Sequence, residues 1–253
     1  LRGLGVVYGR WRVGKTRLLL EWLKERKGVF REAFVGNYEE LFKSFAETVK
    51  KKTGMYVPHD IIEILRVLNE SSLTVVLDEF QYLVNSNPSI TSKLKQLVDR
   101  GLSYPLVLSG SSVSFIEKEL LGSSSPLFGR RSFQIKLKPL PFYYAKRFWE
   151  MEWEEALYAY TMIGGTPAYL SYTYSSSSLN ELIKKVFTYG SPLLEEGELL
   201  FHEESFKRPE TYKRIMRALA KGYKSPSKLA SACILNARSV YYYLDVLEKL
   251  DLI

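Results

Sequence analysis

Residues Gly9-Arg10-Trp11-Arg12-Val13-Gly14-Lys15-Thr16 match G-x-x-x-x-G-K-[ST], the spacing of a phosphate-binding P-loop. An apolar run, Val6-Val7-Tyr8, leads into the motif, and a helix-forming run, Arg17 to Lys24, leaves it. That strand–loop–helix context is what the motif requires. Its two glycines let the backbone curl, so that successive N–H groups and the helix N-terminus face anionic oxygens. Gly9, Arg10, Arg12, Val13, Gly14, Lys15, Thr16 and Arg17 are therefore the candidate phosphate cradle. Lys15 would bring a cation to the β- and γ-phosphates, and the Thr16 hydroxyl would ligate Mg²⁺.

A second landmark follows at Leu73-Thr74-Val75-Val76-Leu77-Asp78-Glu79. A continuous apolar, β-branched run reads as a strand buried on both faces, and this one ends in adjacent carboxylates. Asp78 is placed to hold Mg²⁺, directly or through water, and Glu79 to polarise an attacking water. Further on, Pro105-Leu106-Val107-Leu108 reads as a strand ending in Ser109-Gly110-Ser111-Ser112. A polar residue at its tip, Ser109 or alternatively Ser111, is the candidate sensor of the terminal phosphate. Strands are expected also at 29–35 and 133–137, with helices between them, including 39–52, 91–100 and 113–121. That alternation predicts a parallel, doubly wound α/β sheet with ligand at the strands' carboxyl ends.

From Pro139 the periodicity becomes wholly helical, interrupted by Gly164-Gly165-Thr166-Pro167. After an acidic stretch that includes Glu195, Glu196, Glu198, Glu203 and Glu204, three short helices follow. Tyr212, Ile215, Met216 and Leu219 share one face, and Ser225-Pro226 and Asn236 open the second and third helices. This is the grammar of a helix-turn-helix with a wing beginning at Leu252-Ile253, where Arg238, Ser239 and Tyr242 on the third helix would reach base edges or phosphates. From Phe206 onward ten Lys/Arg face four acids, which leaves +6 of the chain's net +8 in its last fifth. An anionic partner is the reading that charge favours, although winged helices also serve protein contacts.

The single cysteine, Cys233, excludes a disulfide framework and a cysteine-based zinc site and points to a reducing cytoplasm. No apolar run reaches membrane-spanning length. The chain opens Leu1-Arg2-Gly3 without an initiator Met or signal peptide, as expected of a fragment cut just before its first strand.

Taken in order, GRWRVGKT, VVLDEFQYL, LSGSSVSFIEKELLGSSSPLFGRR and GGTPAYL resemble the archaeal ATPase family of the STAND branch of AAA+ proteins. The resemblance implies a five-stranded core in order 5-1-4-3-2 with helices on both faces (residues 1–138), an α-helical lid (139–205) and a winged helix-turn-helix (206–253) ending at the wing. It implies ATP or ADP with Mg²⁺, a slow ATPase acting as a switch, DNA or a protein partner, and ATP-dependent self-assembly. One of Arg130 and Arg131 would act as a γ-phosphate sensor or finger, within the chain or between subunits. Pro167 would lie near the adenine in the lid's G-x-P. Two departures stand out. The family's R-E-x-E-L box, which helps hold the adenine, would precede Leu1, and Trp11 stands where the family commonly has Arg. A nucleotide-gated binding module with little hydrolysis is the alternative, and a small-molecule kinase is disfavoured by the Glu directly after Asp78.

Overall fold

The computed structural model describes residues 2–34, 36, 38–71, 73–196 and 208–253. The chain divides into two compact units, residues 1–137 and residues 138–253.

The first unit is built on five parallel strands: β1 (Gly3–Tyr8), β2 (Gly28–Glu32), β3 (Thr74–Asp78), β4 (Pro105–Gly110) and β5 (Arg131–Lys136). They lie in the order β2-β3-β4-β1-β5. β4 thus separates β1 from β3, with Val7 beside Ser109 and Leu77 beside Leu108. All five residues of β3 are buried, as a strand covered on both faces must be, whereas the edge strand β5 alternates and leaves Ile135 half-exposed. α1 (Lys15–Lys24) lays Leu19 on one sheet face against Val7, Val76 and Val107, with Trp22 and Leu23 flanking.

The remaining helices of this unit are α2 (Tyr38–Thr53), α3 (Ile61–Leu68), α4 (Phe80–Ser86), α5 (Ser89–Asp99) and α6 (Val113–Phe115). α3 presents Ile61, Ile62, Ile64, Leu65 and Leu68 to the core and is capped by Asp60, whose carboxylate accepts from Ile62 N (2.9 Å) and Glu63 N (3.1 Å). Tyr104, fully buried at the entry to β4, ties strand to helix by donating to Leu65 O at 2.8 Å.

Local boundaries differ from the sequence reading in several places. β2 stops at Glu32, and Val35 lies outside the described residues. α4 begins directly after Glu79. The helix expected at 113–121 is α only to Phe115 and continues as a π-turn over Ile116–Leu120, closed by Leu121 N to Ile116 O at 3.0 Å. The wider turn buries both Ile116 and Leu120 while Glu117 pairs with Lys136.

The second unit is helical among the described residues. α7 (Phe142–Ala145) runs into a 3₁₀ turn and is followed by α8 (Trp153–Ile163), α9 (Pro167–Tyr172) and α10 (Leu179–Phe187). They gather around Ala145, Trp149, Ala156, Ala159, Leu170 and Leu182. Glu198, Glu203 and Glu204 of the acidic stretch lie outside the described residues. The last three helices, α11 (Pro209–Ala220), α12 (Pro226–Cys233) and α13 (Ala237–Lys249), enclose a separate core of Tyr212, Ile215, Leu229, Cys233, Val240, Tyr243 and Leu247. Ser225 and Asn236 cap α12 and α13 through Lys228 N (3.4 Å) and Ser239 N (2.7 Å). Cys233 faces inward in this core, and its neighbour Ala232 is exposed.

Asp60→Ala removes two capping bonds at the start of a core helix. It is expected to cost about 1 kcal/mol, read as a lower urea midpoint with an unchanged slope; an unchanged midpoint would contradict the cap's role.

Candidate functional site

Gly9 leaves β1 where a Cβ would sit 2.2 Å from the Leu137 carbonyl, so only glycine fits. Arg12 and Gly14 then take left-handed backbone conformations (φ 64° and 92°), and Gly14 caps α1 without a side-chain bond. The first-turn N–H groups of α1 have no intrahelical acceptors and carry the positive end of the helix dipole. Lys15 is buried, and its Nζ donates to Arg10 O across the loop at 3.2 Å. Val13 is buried beneath it, Arg12 stacks on the Trp11 ring at 4.5 Å, and Arg17 pairs with Glu21 in solvent at 3.0 Å. The loop thus combines two left-handed residues and a helix N-terminus with one buried cation, Lys15.

Thr16 Oγ1 donates to Asp78 Oδ2 at 2.6 Å, a contact between residues 62 positions apart. It joins the start of α1 to the end of β3. One register step beyond the Leu77–Leu108 pair, Ser109, the penultimate residue of β4, falls level with Asp78. The Ser109 hydroxyl is buried and has no hydrogen-bond partner. A hydroxyl, a carboxylate and this orphaned hydroxyl form an all-oxygen set beside the phosphate cradle, the donor chemistry a hard divalent cation takes. This donor set fits Mg²⁺, which Thr16 and Asp78 would hold. Among the described residues no group of three or more carboxylate, imidazole or thiol side chains is placed to bind a metal without such help.

Glu79 follows Asp78 in a left-handed conformation (φ 51°). Its Oε2 accepts from Ser111 Oγ (2.6 Å), Ser111 N (3.2 Å) and Gln81 Nε2 (2.5 Å), and Gln81 also donates to Ser111 Oγ at 3.0 Å. One carboxylate oxygen is anchored and Oε1 is left uncommitted. The two serines considered for the tip of β4 divide the work: Ser111 holds Glu79, and Ser109 faces the Asp78 level. Gln81 was not apparent from sequence, because only the turn into α4 brings a residue two positions on back to the strand ends. Glu32 is a further acid here. It registers with Asp78 on β2, and desolvation followed by the charges of Asp78 and Glu79 raises its pKa.

Other expected residues lie elsewhere. Arg131 registers with Leu4 at the start of β1, four steps and roughly 13 Å of strand from Tyr8. Arg130 is taken by Asp99 on α5, with Nε–Oδ1 at 2.5 Å, and this bond lowers the Asp99 pKa. The pair thus sits at the end of the sheet opposite the phosphate loop of the same chain, because parallel strands put all their starts together. Pro167 opens α9 after the buried Thr166, and Gly165 O accepts from Leu140 N at 2.8 Å. On α13, Arg238 and Tyr242 are exposed, Ser239 is half-buried, and the Tyr242 ring meets Tyr243 edge-on at 5.5 Å.

Comparison with known proteins agrees with this geometry. Residues 2–173 match the model of an ATPase domain found predominantly in Archaea. An uncharacterised protein of Methanocaldococcus jannaschii, MJECL04, is 33% identical over 223 residues, covering 86% of this chain and 49% of its own length. The chain thus spans about half the length of that relative. The fold is shared with the Walker-type ATPase PABY2304 of Pyrococcus abyssi (TM-score 0.67, 22% identity, 98% of this chain and 84% of that one). It is shared also with the ORC2 protein of Aeropyrum pernix in ADPNP–ADP complexes (TM-score 0.55, 16% identity, 99% and 81%). With a P-loop, paired acids at the adjoining strand ends and a family match over most of its length, this chain belongs to the archaeal ATPase family of P-loop proteins.

Proposed function

We propose that the chain binds ATP and hydrolyses it slowly with Mg²⁺, as a STAND-type switch whose nucleotide state is read out by the second unit. The observation that carries this reading is the Thr16–Asp78 bond at 2.6 Å with Glu79 oriented beside it. Lys15 and the N–H groups of the loop bind the β- and γ-phosphates. Thr16 and Asp78 hold the metal, which when bound offsets phosphate charge. Glu79, fixed through Oε2, takes a proton from water at Oε1. Ser109 senses the terminal phosphate or its metal. The Oε2 atom of Glu79, which accepts three hydrogen bonds, also suits a second reading, a nucleotide-gated module that rests with little turnover until a partner binds.

Within the second unit, residues 139–205 serve as the lid, with Pro167 on the adenine side, and residues 206–253 as a winged helix that binds DNA. Arg130 and Arg131, remote from their own loop along the sheet, serve the γ-phosphate of a neighbouring copy in an ATP-dependent assembly. No helix among the described residues is long and apolar enough to cross a membrane, and the proposed setting is the cytoplasm.

Glu79→Gln is expected to retain ATP and lower turnover by about 10²-fold or more, the range of a general base. Unchanged turnover would exclude Glu79 from that role, and wild-type turnover near zero would favour the gated module. Gln81→Leu and Ser111→Ala are expected to lower kcat several-fold with KM unchanged, since they orient Glu79 and touch no phosphate. A change confined to KM would contradict that assignment.

A further inference from the structure

The C-terminal three-helix core carries its charge away from the helix expected to read DNA. α11 exposes Arg214 and Arg217, and Lys221, its C-cap residue, is exposed too. At i, i+3 and i+7 they fall within about 60° of helix surface and span about 10 Å of its axis. Lys224, in the connection that follows α11, and Lys228, on α12, are exposed as well. Among the described residues, none of these five side chains has a carboxylate partner; the α11 ion pair is Lys213 with Glu210, at 3.0 Å. Beside the corner lies an open recess of about 450 Å³ lined by Tyr223, Ser227, Lys228, Ser231 and Ala232, which adds hydroxyl donors to the cations.

α13 is different. Its exposed face sets Arg238 and Lys249 against Asp245 and Glu248, and Lys249 is already paired with Asp245 at 2.7 Å. Laid along a groove, that face would set two carboxylates among phosphates for no net charge. Five exposed cations without a carboxylate partner among the described residues, with hydroxyls adjacent to one of them, are the donor set for a sugar–phosphate backbone.

Building on the DNA reading above, we propose that the backbone of duplex DNA runs along α11 and the α11–α12 corner. Arg214, Arg217, Lys221, Lys224 and Lys228 take its phosphates, and α13 stays outside the groove. Binding is then independent of sequence and steep in salt. Five phosphates predict a slope of log K against log[salt] near −4.5, from about −0.9 per phosphate.

The test is fluorescence anisotropy of the whole chain with two unrelated DNA duplexes and one RNA duplex, titrated over a range of KCl. The expected result is equal affinity for both DNA sequences. The slope should become shallower by about 2.7 in Arg214→Ala/Arg217→Ala/Lys221→Ala, keep its wild-type value in the charge-conserving Arg214→Lys/Arg217→Lys, and stay unchanged in Arg238→Ala. Circular dichroism of the exposed-residue variants checks their fold. DNA binding by wild type that depends on Arg238 and not on the stripe would overturn the placement and leave the DNA reading intact. No binding by wild type at low salt would overturn both. Tighter binding of the RNA duplex would overturn the assignment to DNA.

Discussion

The hydrogen bond from Thr16 to Asp78 is the contact on which the rest of the first unit depends. It closes only if the chain turns sharply out of β1, enters α1 within a few residues, and finds β3 two strands away with β4 between. Each condition has a local cause. Gly9 alone tolerates the Leu137 carbonyl, and Gly14 takes up the left-handed turn that aims α1 back over the sheet. Leu19 then seats that helix on Val7, Val76 and Val107. Burial of these side chains, each contributing about 1.5–3 kcal/mol, fixes α1 against β3 and so fixes the distance between the hydroxyl and the carboxylate.

The site is also where the backbone is least relaxed. Among the described residues of the first unit, Arg12 and Glu79 are the non-glycine residues with positive φ, a conformation that costs roughly 1–2 kcal/mol per residue. One lies in the phosphate loop and the other is the proposed base. At Glu79 the cost is offset by three hydrogen bonds to one carboxylate oxygen, two of them from Ser111. Strain at Glu79 turns its side chain from the axis of β3 toward the end of β4, where water activation would occur.

What could be read from the sequence was whatever depended on near neighbours. The phosphate loop, the buried strand ending in Asp78 and Glu79, and the caps Ser225 and Asn236 all announce themselves within a few residues. Contacts that depend on the assembled sheet do not. Gln81 looks like one more residue after a strand until α4 brings it under Glu79, and choosing between Ser109 and Ser111 requires the register of β4 against β3. Arg130 reads as a free cation, yet Asp99, 31 positions earlier, takes it. Net charge located the basic region in the last fifth of the chain. The face that carries it was hidden, because exposure on α11 and α13 is decided by how Tyr212, Ile215, Val240 and Leu247 pack together.

The most direct test of the central claim is calorimetric titration of ATP with and without Mg²⁺, for wild type and Thr16→Val. The substitution keeps the side chain's shape and removes the hydroxyl that meets Asp78. The account predicts that Mg²⁺ tightens ATP binding to wild type, and that Thr16→Val loses this increment while keeping its metal-free affinity. An increment that survives in Thr16→Val would mean that the Thr16–Asp78 junction is a structural clasp and that the metal is held elsewhere.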